Sequence, residues 1–130
     1  MRETMLIFLG GGLGALARYV FSRGISQRFF AAVPLGTLIV NVTGSLFMGF
    51  FFTMLNESLL PAGYRALITI GFIGAYTTFS TYMLETVSLV QKREYVPALL
   101  NFISNNLFCM IAVVAGIFLA TLLITAMRNH

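Results

Sequence analysis

Long apolar runs and short polar interruptions alternate along this chain, and there are four such runs. The first extends from about Thr4 to Ser22 with Arg18 inside it, and the second, Leu35 to Leu55, holds no ionisable residue. The third runs from about Ala66 to Val90 and the fourth from Val96 to Met127. A helix needs about 20 predominantly apolar residues to cross a hydrocarbon core of roughly 30 Å. Each run reaches that length and is too long for a barrel strand, so backbone satisfaction in lipid leaves helices as the solution. The pattern predicts an all-α integral membrane protein, one four-helix domain over residues 1–130 with spans at 4–22, 35–55, 66–90 and 96–127.

The punctuation agrees with this partition. Pro34, Pro61 and Pro97 each lie close to the start of an apolar run, where a missing backbone N–H has no intrahelical partner to lose. "NESLLPAGYR", Asn56 to Arg65, and "QKREY", Gln91 to Tyr95, read as polar loops too short for a soluble domain. Arg2, the apolar run that follows and "ALA" at Ala15 to Ala17 resemble a signal peptide. Three further apolar runs follow, so the stretch reads as the first transmembrane helix.

Composition sharpens the class. The chain is 58% hydrophobic and only 9% charged, against about 25% charged in a soluble domain, and the deficit runs along its whole length. The net charge of +4 comes from scattered residues with no basic run longer than Lys92-Arg93. That distribution suits loop anchors at membrane surfaces and gives no nucleic-acid face. Cys109 is the only cysteine and His130 the only histidine, which excludes disulfide frameworks, zinc sites and Cys-His nucleophile pairs within one chain. No two carboxylates share a span for acid-base work, so an enzyme is not expected.

Charge does not choose an orientation. With four crossings, Arg2, Arg65 and Arg128 fall on one side, while Arg23, Arg28, Lys92 and Arg93 fall on the other. Three against four is almost no bias under the positive-inside rule. A chain so balanced is expected to insert both ways up and to form an antiparallel two-fold dimer, each copy offering the same surface to its inverted partner.

Glycines mark the spans. Gly10 and Gly14 in "GGGLGA", Gly44 and Gly49, and Gly71 and Gly74 follow or approach the small-residue spacing that lets membrane helices approach closely. The triple glycine has no following Lys-Ser/Thr pair and no preceding strand, so it is not a phosphate loop.

Polar residues inside lipid are costly and default to functional candidates. Asn41 stands in the apolar "PLGTLIVNVTGSLFMGF" with Thr37, Thr43 and Ser45 nearby. Its amide can bond another helix or donate N–H groups to an anion. Arg18 either snorkels to the interface or draws anions toward a pore mouth. Glu85 reads as a partner for a basic or amide group near the helix end, and is no resting place for an anion unless protonated or hydrogen-bonded. Asn101, Ser104, Asn105 and Asn106 bring amides and a hydroxyl into the fourth run.

The densest cluster lies in "GFIGAYTTFSTYMLE", Gly71 to Glu85. Thr77, Thr78, Ser80 and Thr81 can all hydrogen-bond backbone carbonyls and bend a helix. With Gly74 they suggest an interrupted third helix, of the kind tolerated at membrane depth where it lines a cavity or binds an ion. Phe79 and Tyr82, three apart, share one helical face. Their positive ring edges could favour a small anion that has shed water.

At these residues the sequence resembles the CrcB/Fluc family of fluoride channels. "GGGLGALARY", "PLGTLIVNVTGSLFMGF" and "GFIGAYTTFSTYMLE" occur in the family's order at matching separations. The resemblance implies a dual-topology antiparallel homodimer in the plasma (inner) membrane, passing fluoride through two pores and conferring fluoride resistance. Asn41 would be the pore asparagine, Phe79 and Tyr82 would hold the two family phenylalanine positions, and Ser80 and Thr81 would belong to a polar track. Backbone carbonyls of Gly74 and Thr77 would hold a structural sodium ion at the dimer centre. Arg18 and Thr37 would lie near the vestibule and Glu85 near the polar route.

Three positions depart from the family. Tyr82 stands where phenylalanine is usual, with Phe102 where tyrosine is frequent, and Asn105 or Asn106 replaces a serine of the fourth helix. Some members pair with a homologous chain and keep one working pore, so the partner is either self or such a chain. Two other readings remain open. A small multidrug transporter would need an acidic residue in the middle of the first helix, and a non-transporting assembly subunit would need only the packing glycines and amide bonds.

Overall fold

The computed structural model describes residues 1–29, 31–57, 61 and 63–129. Helix α1 spans Arg2–Arg28 and α2 spans Leu35–Asn56. The third span comprises a π-helical stretch, π1 (Arg65–Ile73), a single turn, α3 (Gly74–Tyr76), and α4 (Phe79–Gln91); α5 (Tyr95–Arg128) completes the chain. Among the described residues no strand occurs. Among the described residues, four helical spans are long and apolar enough to cross a membrane, and at most 33% of any span's most apolar window is buried within the chain. Apolar surface turned outward on all four fits lipid, and the protein is a multi-pass membrane protein.

Helix α1 runs past the apolar stretch that announced it. Arg23 and Arg28, expected in the first loop, lie on its last turns. No proline lies between Ser22 and Arg28 to stop the helix, and Arg23 folds back one turn so that its guanidinium lies over the Tyr19 ring, 5.7 Å from the centroid. Part of the loop expected over Asn56 to Arg65, namely 58–60 and 62, lies outside the described residues, as does His130.

Backbone-close contacts at glycines organise the packing. A Cβ on Gly10 would sit 2.2 Å from the Leu67 carbonyl oxygen, and one on Gly14 would sit 2.1 Å from that of Phe72. These contacts press α1 onto π1. Gly49 and Gly116 do the same for α2 and α5, facing the carbonyls of Val113 and Leu46 at 2.2 and 2.1 Å. Without water to drive association between lipid-bathed helices, such close van der Waals approach carries the packing.

The third span changes winding where it meets the others. The Gly74 N–H reaches the Thr69 carbonyl five residues back, a π-type bond. After Tyr76 the backbone extends, with φ/ψ of −80°/156° at Thr77 and −149°/112° at Thr78. Helix α4 then starts at Phe79, and the Thr78 hydroxyl accepts from the Thr81 N–H as its cap at 3.3 Å. Gly44 of α2 makes room for this segment, since a Cβ there would lie 2.4 Å from Thr77 Cγ2.

Candidate functional site

The extended residue Thr78 is buried, so both of its backbone groups need partners within the protein. Asn41 supplies them. Its Oδ1 accepts from the Thr78 N–H at 2.8 Å, and its Nδ2 donates to the Thr78 carbonyl at 3.1 Å. One amide side chain on α2 thus does for Thr78 what a neighbouring strand does in a sheet.

The remaining Asn41 hydrogen starts a chain of amides. Asn41 donates to Asn105 Oδ1 at 3.0 Å, Asn105 donates to Asn101 Oδ1 at 3.0 Å, and Asn101 donates to the Thr86 hydroxyl at 2.9 Å. Thr86 closes the run by donating to the Tyr82 carbonyl at 2.8 Å. Asn41, Asn101 and Asn105 are all buried, Asn101 completely. Bonds that run in one sense polarise one another, and this run begins and ends on the first turns of the α4 segment. Both Asn41 hydrogens, read from sequence as potential donors to an anion, are committed here to protein oxygens.

Two cavities flank this network. The first, about 300 Å³, is lined by Asn41, Thr77, Phe79, Tyr82, Asn105 and Asn106 among others. The second, about 370 Å³, is lined by Arg18, Tyr19, Arg23, Thr37 and Thr81 among others. Thr78 lines both, so it stands between them. Six of the candidate site residues named from sequence (Asn41, Thr77, Phe79, Tyr82, Asn105 and Asn106) therefore surround one cavity, and three (Arg18, Thr37 and Thr81) surround the other. Ser80 lines neither and is exposed.

Within the first cavity the two aromatic side chains differ sharply. Phe79 is 69% exposed, while Tyr82 is 3% exposed. Their rings meet edge to face, centroids 5.3 Å apart at 79°. The Tyr82 oxygen accepts a hydrogen bond from Asn106 Nδ2 at 2.8 Å. Asn105 and Asn106 thus have separate tasks, one holding Asn41 and the other Tyr82.

On the side of the second cavity, Thr37 donates to Glu85 Oε1 at 2.7 Å. Glu85 Oε2 is buried with no hydrogen-bond partner among the described residues. Arg18, which is half-buried, lines this same cavity, and the Thr81 hydroxyl accepts from that of Thr78 at 2.9 Å.

Gly74 lies on the outer surface of the chain, and a Cβ there would meet only the Thr69 carbonyl oxygen at 3.5 Å. Because the Thr78 N–H turns to Asn41, the Gly74 carbonyl loses the donor that a continuous α-helix would give it. The Thr77 hydroxyl bonds back to the Ile73 carbonyl at 3.1 Å.

Residues 5–117 match the family described as CrcB-like protein, camphor resistance (CrcB). The chain belongs to the CrcB family. It is 42% identical to a protein of Trichormus variabilis over 124 residues, which cover 94% of this chain and 90% of that one. It is 41% identical to one of Magnetococcus marinus over 118 residues, 90% and 96% of the two chains. A third relative, from Shewanella oneidensis, is 40% identical over 116 residues, 89% and 94%. All three are named fluoride-specific ion channel FluC.

This CrcB chain also uses residues that the sequence did not single out as site residues. Thr78 is the hinge of the network, Thr86 ends the amide chain, and Met48 and Cys109 line the first cavity. The four-residue spacing of Asn101 and Asn105 was a readable signal that both amides share one helical face. Nothing in the local sequence marks Thr86 or Met48, whose roles depend on which helix packs beside them.

Proposed function

We propose that this chain is a fluoride-selective channel of the plasma membrane, conducting passively along a path through the cavity of Asn41, Phe79 and Tyr82. The observation that carries the reading is the gathering of those three residues with Asn105 and Asn106 around one cavity, in a chain about two-fifths identical to relatives named fluoride-specific ion channels. A bare fluoride ion holds its water strongly, so the path must replace hydration with hydrogen bonds and positive ring edges. Amides, hydroxyls and the edge-to-face aromatic pair offer these.

Arg18 beside the second cavity would gather anions at the entrance. Thr37, Glu85 and Thr81 would continue the polar route, and Ser80, exposed on the single chain, would join it only where a partner covers α4. Asn41 would shape the passage, and would donate to an anion by giving up one of its two protein acceptors.

A second, inverted copy completes this reading. Phe79 is a large aromatic side chain left 69% exposed on the single chain, which suits a residue covered by a partner. The even split of basic residues between the two ends supports insertion in both orientations. A sodium ion fits the same scheme. The Gly74 carbonyl lacks its helical donor and lies at the surface, and carbonyl oxygens of Gly74 and Thr77 from two inverted chains suit a hard monovalent cation. Bound there, the ion would tie the two interrupted helices together.

A drug-proton exchanger is disfavoured because the middle of α1 carries no carboxylate. The test is release of anions from liposomes containing only this purified chain. Fluoride release with chloride retained supports the reading, and release of neither anion refutes it.

A further inference from the structure

Tyr82 lines the cavity with its hydrogen-bonding capacity half spent. Its oxygen accepts from Asn106 Nδ2 at 2.8 Å, and the direction of that bond is set by a third group. Asn106 Nδ2 also donates to the Phe102 carbonyl at 2.7 Å. A carbonyl can only accept, so the NH₂ end of the amide must face it, and turning the amide over would set two oxygens against each other. The phenol oxygen therefore receives a proton and keeps its own O–H to give. Among the described residues, no acceptor for that hydrogen is present.

The ring holding this hydroxyl is buried and lines the cavity with Asn41 and Phe79. A bond received at the oxygen strengthens the O–H as a donor. We propose that the Tyr82 hydroxyl, oriented by Asn106, is a direct ligand of the anion in this cavity and sets its preference for fluoride. The inference rests on the fluoride-channel reading above and adds a donor that ring edges do not supply. Hydrogen bonds to ions are shorter and about twice as strong as neutral ones, and the smallest halide approaches such a donor most closely. Asn106 is then a positioning residue, acting on the anion only through the phenol.

The test measures fluoride flux against fluoride concentration in liposomes of the purified chain, with Tyr82→Phe, Asn106→Leu and the double variant. Tyr82→Phe keeps the ring and its packing. Loss of one hydrogen bond to an ion is expected to raise the half-saturating concentration about tenfold or more. Asn106→Leu is expected to raise it by less and to add nothing in the Tyr82→Phe background. Fluorine NMR line broadening by the same proteins in detergent reads binding directly where flux is too slow, and Tyr82→Phe is expected to diminish it. A half-saturation or line broadening unchanged by Tyr82→Phe overturns the ligand assignment and leaves the channel reading standing. Absence of fluoride-selective flux in the unaltered chain overturns the channel reading itself.

Discussion

Asn41 grips Thr78 by both backbone groups, accepting its N–H at 2.8 Å and donating to its carbonyl at 3.1 Å. The contact joins the middle of α2 to the extended segment between α3 and α4, where the two cavities meet at Thr78. Asn41→Leu removes both bonds and strands two buried backbone groups, each worth about 1–3 kcal/mol when unsatisfied. Asn41→Asp keeps an acceptor for the Thr78 N–H but loses the donor to its carbonyl and to Asn105. Thermal unfolding in detergent is expected to place both variants below the unaltered chain, and fluoride flux is expected to fall in both. Unchanged melting and flux would show that the clamp matters to neither fold nor conduction.

The far end of the amide chain makes a separate prediction. Thr86→Val leaves a hydrogen of the fully buried Asn101 without its acceptor, while Thr86→Ser keeps the hydroxyl. The valine variant is expected to lose about 1–3 kcal/mol and the serine variant distinctly less. Equal melting temperatures for the two would show that the Asn101 bond contributes nothing.

Much of this architecture was legible in the residue pattern because lipid imposes a simple rule. Apolar runs of sufficient length become helices, and the four runs became the four spans. The grouping of Asn41, Phe79 and Tyr82 was suggested by family resemblance, and their spacing could not have given it. Two features escaped the sequence for physical reasons. The π-type winding of Arg65–Ile73 arises from hydrogen-bond register within an ordinary apolar run, and α1 outran its apolar stretch because helix formation does not stop where hydrocarbon does. The separate duties of Asn105 and Asn106 were equally hidden, since adjacent helical residues face different neighbours and only packing says which.

The glycine pairs predict where a single methyl group is tolerated. Gly116→Ala would place a Cβ 2.1 Å from the Leu46 carbonyl oxygen, whereas Gly24→Ala meets nothing within 4 Å. The first is expected to force α2 and α5 apart and to lower thermal stability by about 1–3 kcal/mol, as overpacked interiors do. The second is expected to be neutral or to gain roughly 0.5–1 kcal/mol from helix propensity. Comparable stability of the two variants would contradict the close α2–α5 packing.

Orientation supplies a test independent of flux. Reporters fused after residue 130, one active only in the cytoplasm and one only outside it, are both expected to give signal. Adding two lysines to the loop between α1 and α2 is expected to shift the population to one orientation by the positive-inside rule. A single orientation for the unaltered chain would remove the basis for an antiparallel pair.

The central claim is that the cavity bordered by Phe79 and Tyr82 is the anion path, and Phe79→Ile tests it most directly. Phe79 is 69% exposed on the chain and makes no hydrogen bond that folding would miss, so its replacement should leave the assembled protein intact. The measurement is fluoride efflux from liposomes, paired with size-exclusion chromatography of the same preparation. The account predicts an unchanged elution position and abolished fluoride efflux; normal efflux from the variant would contradict it.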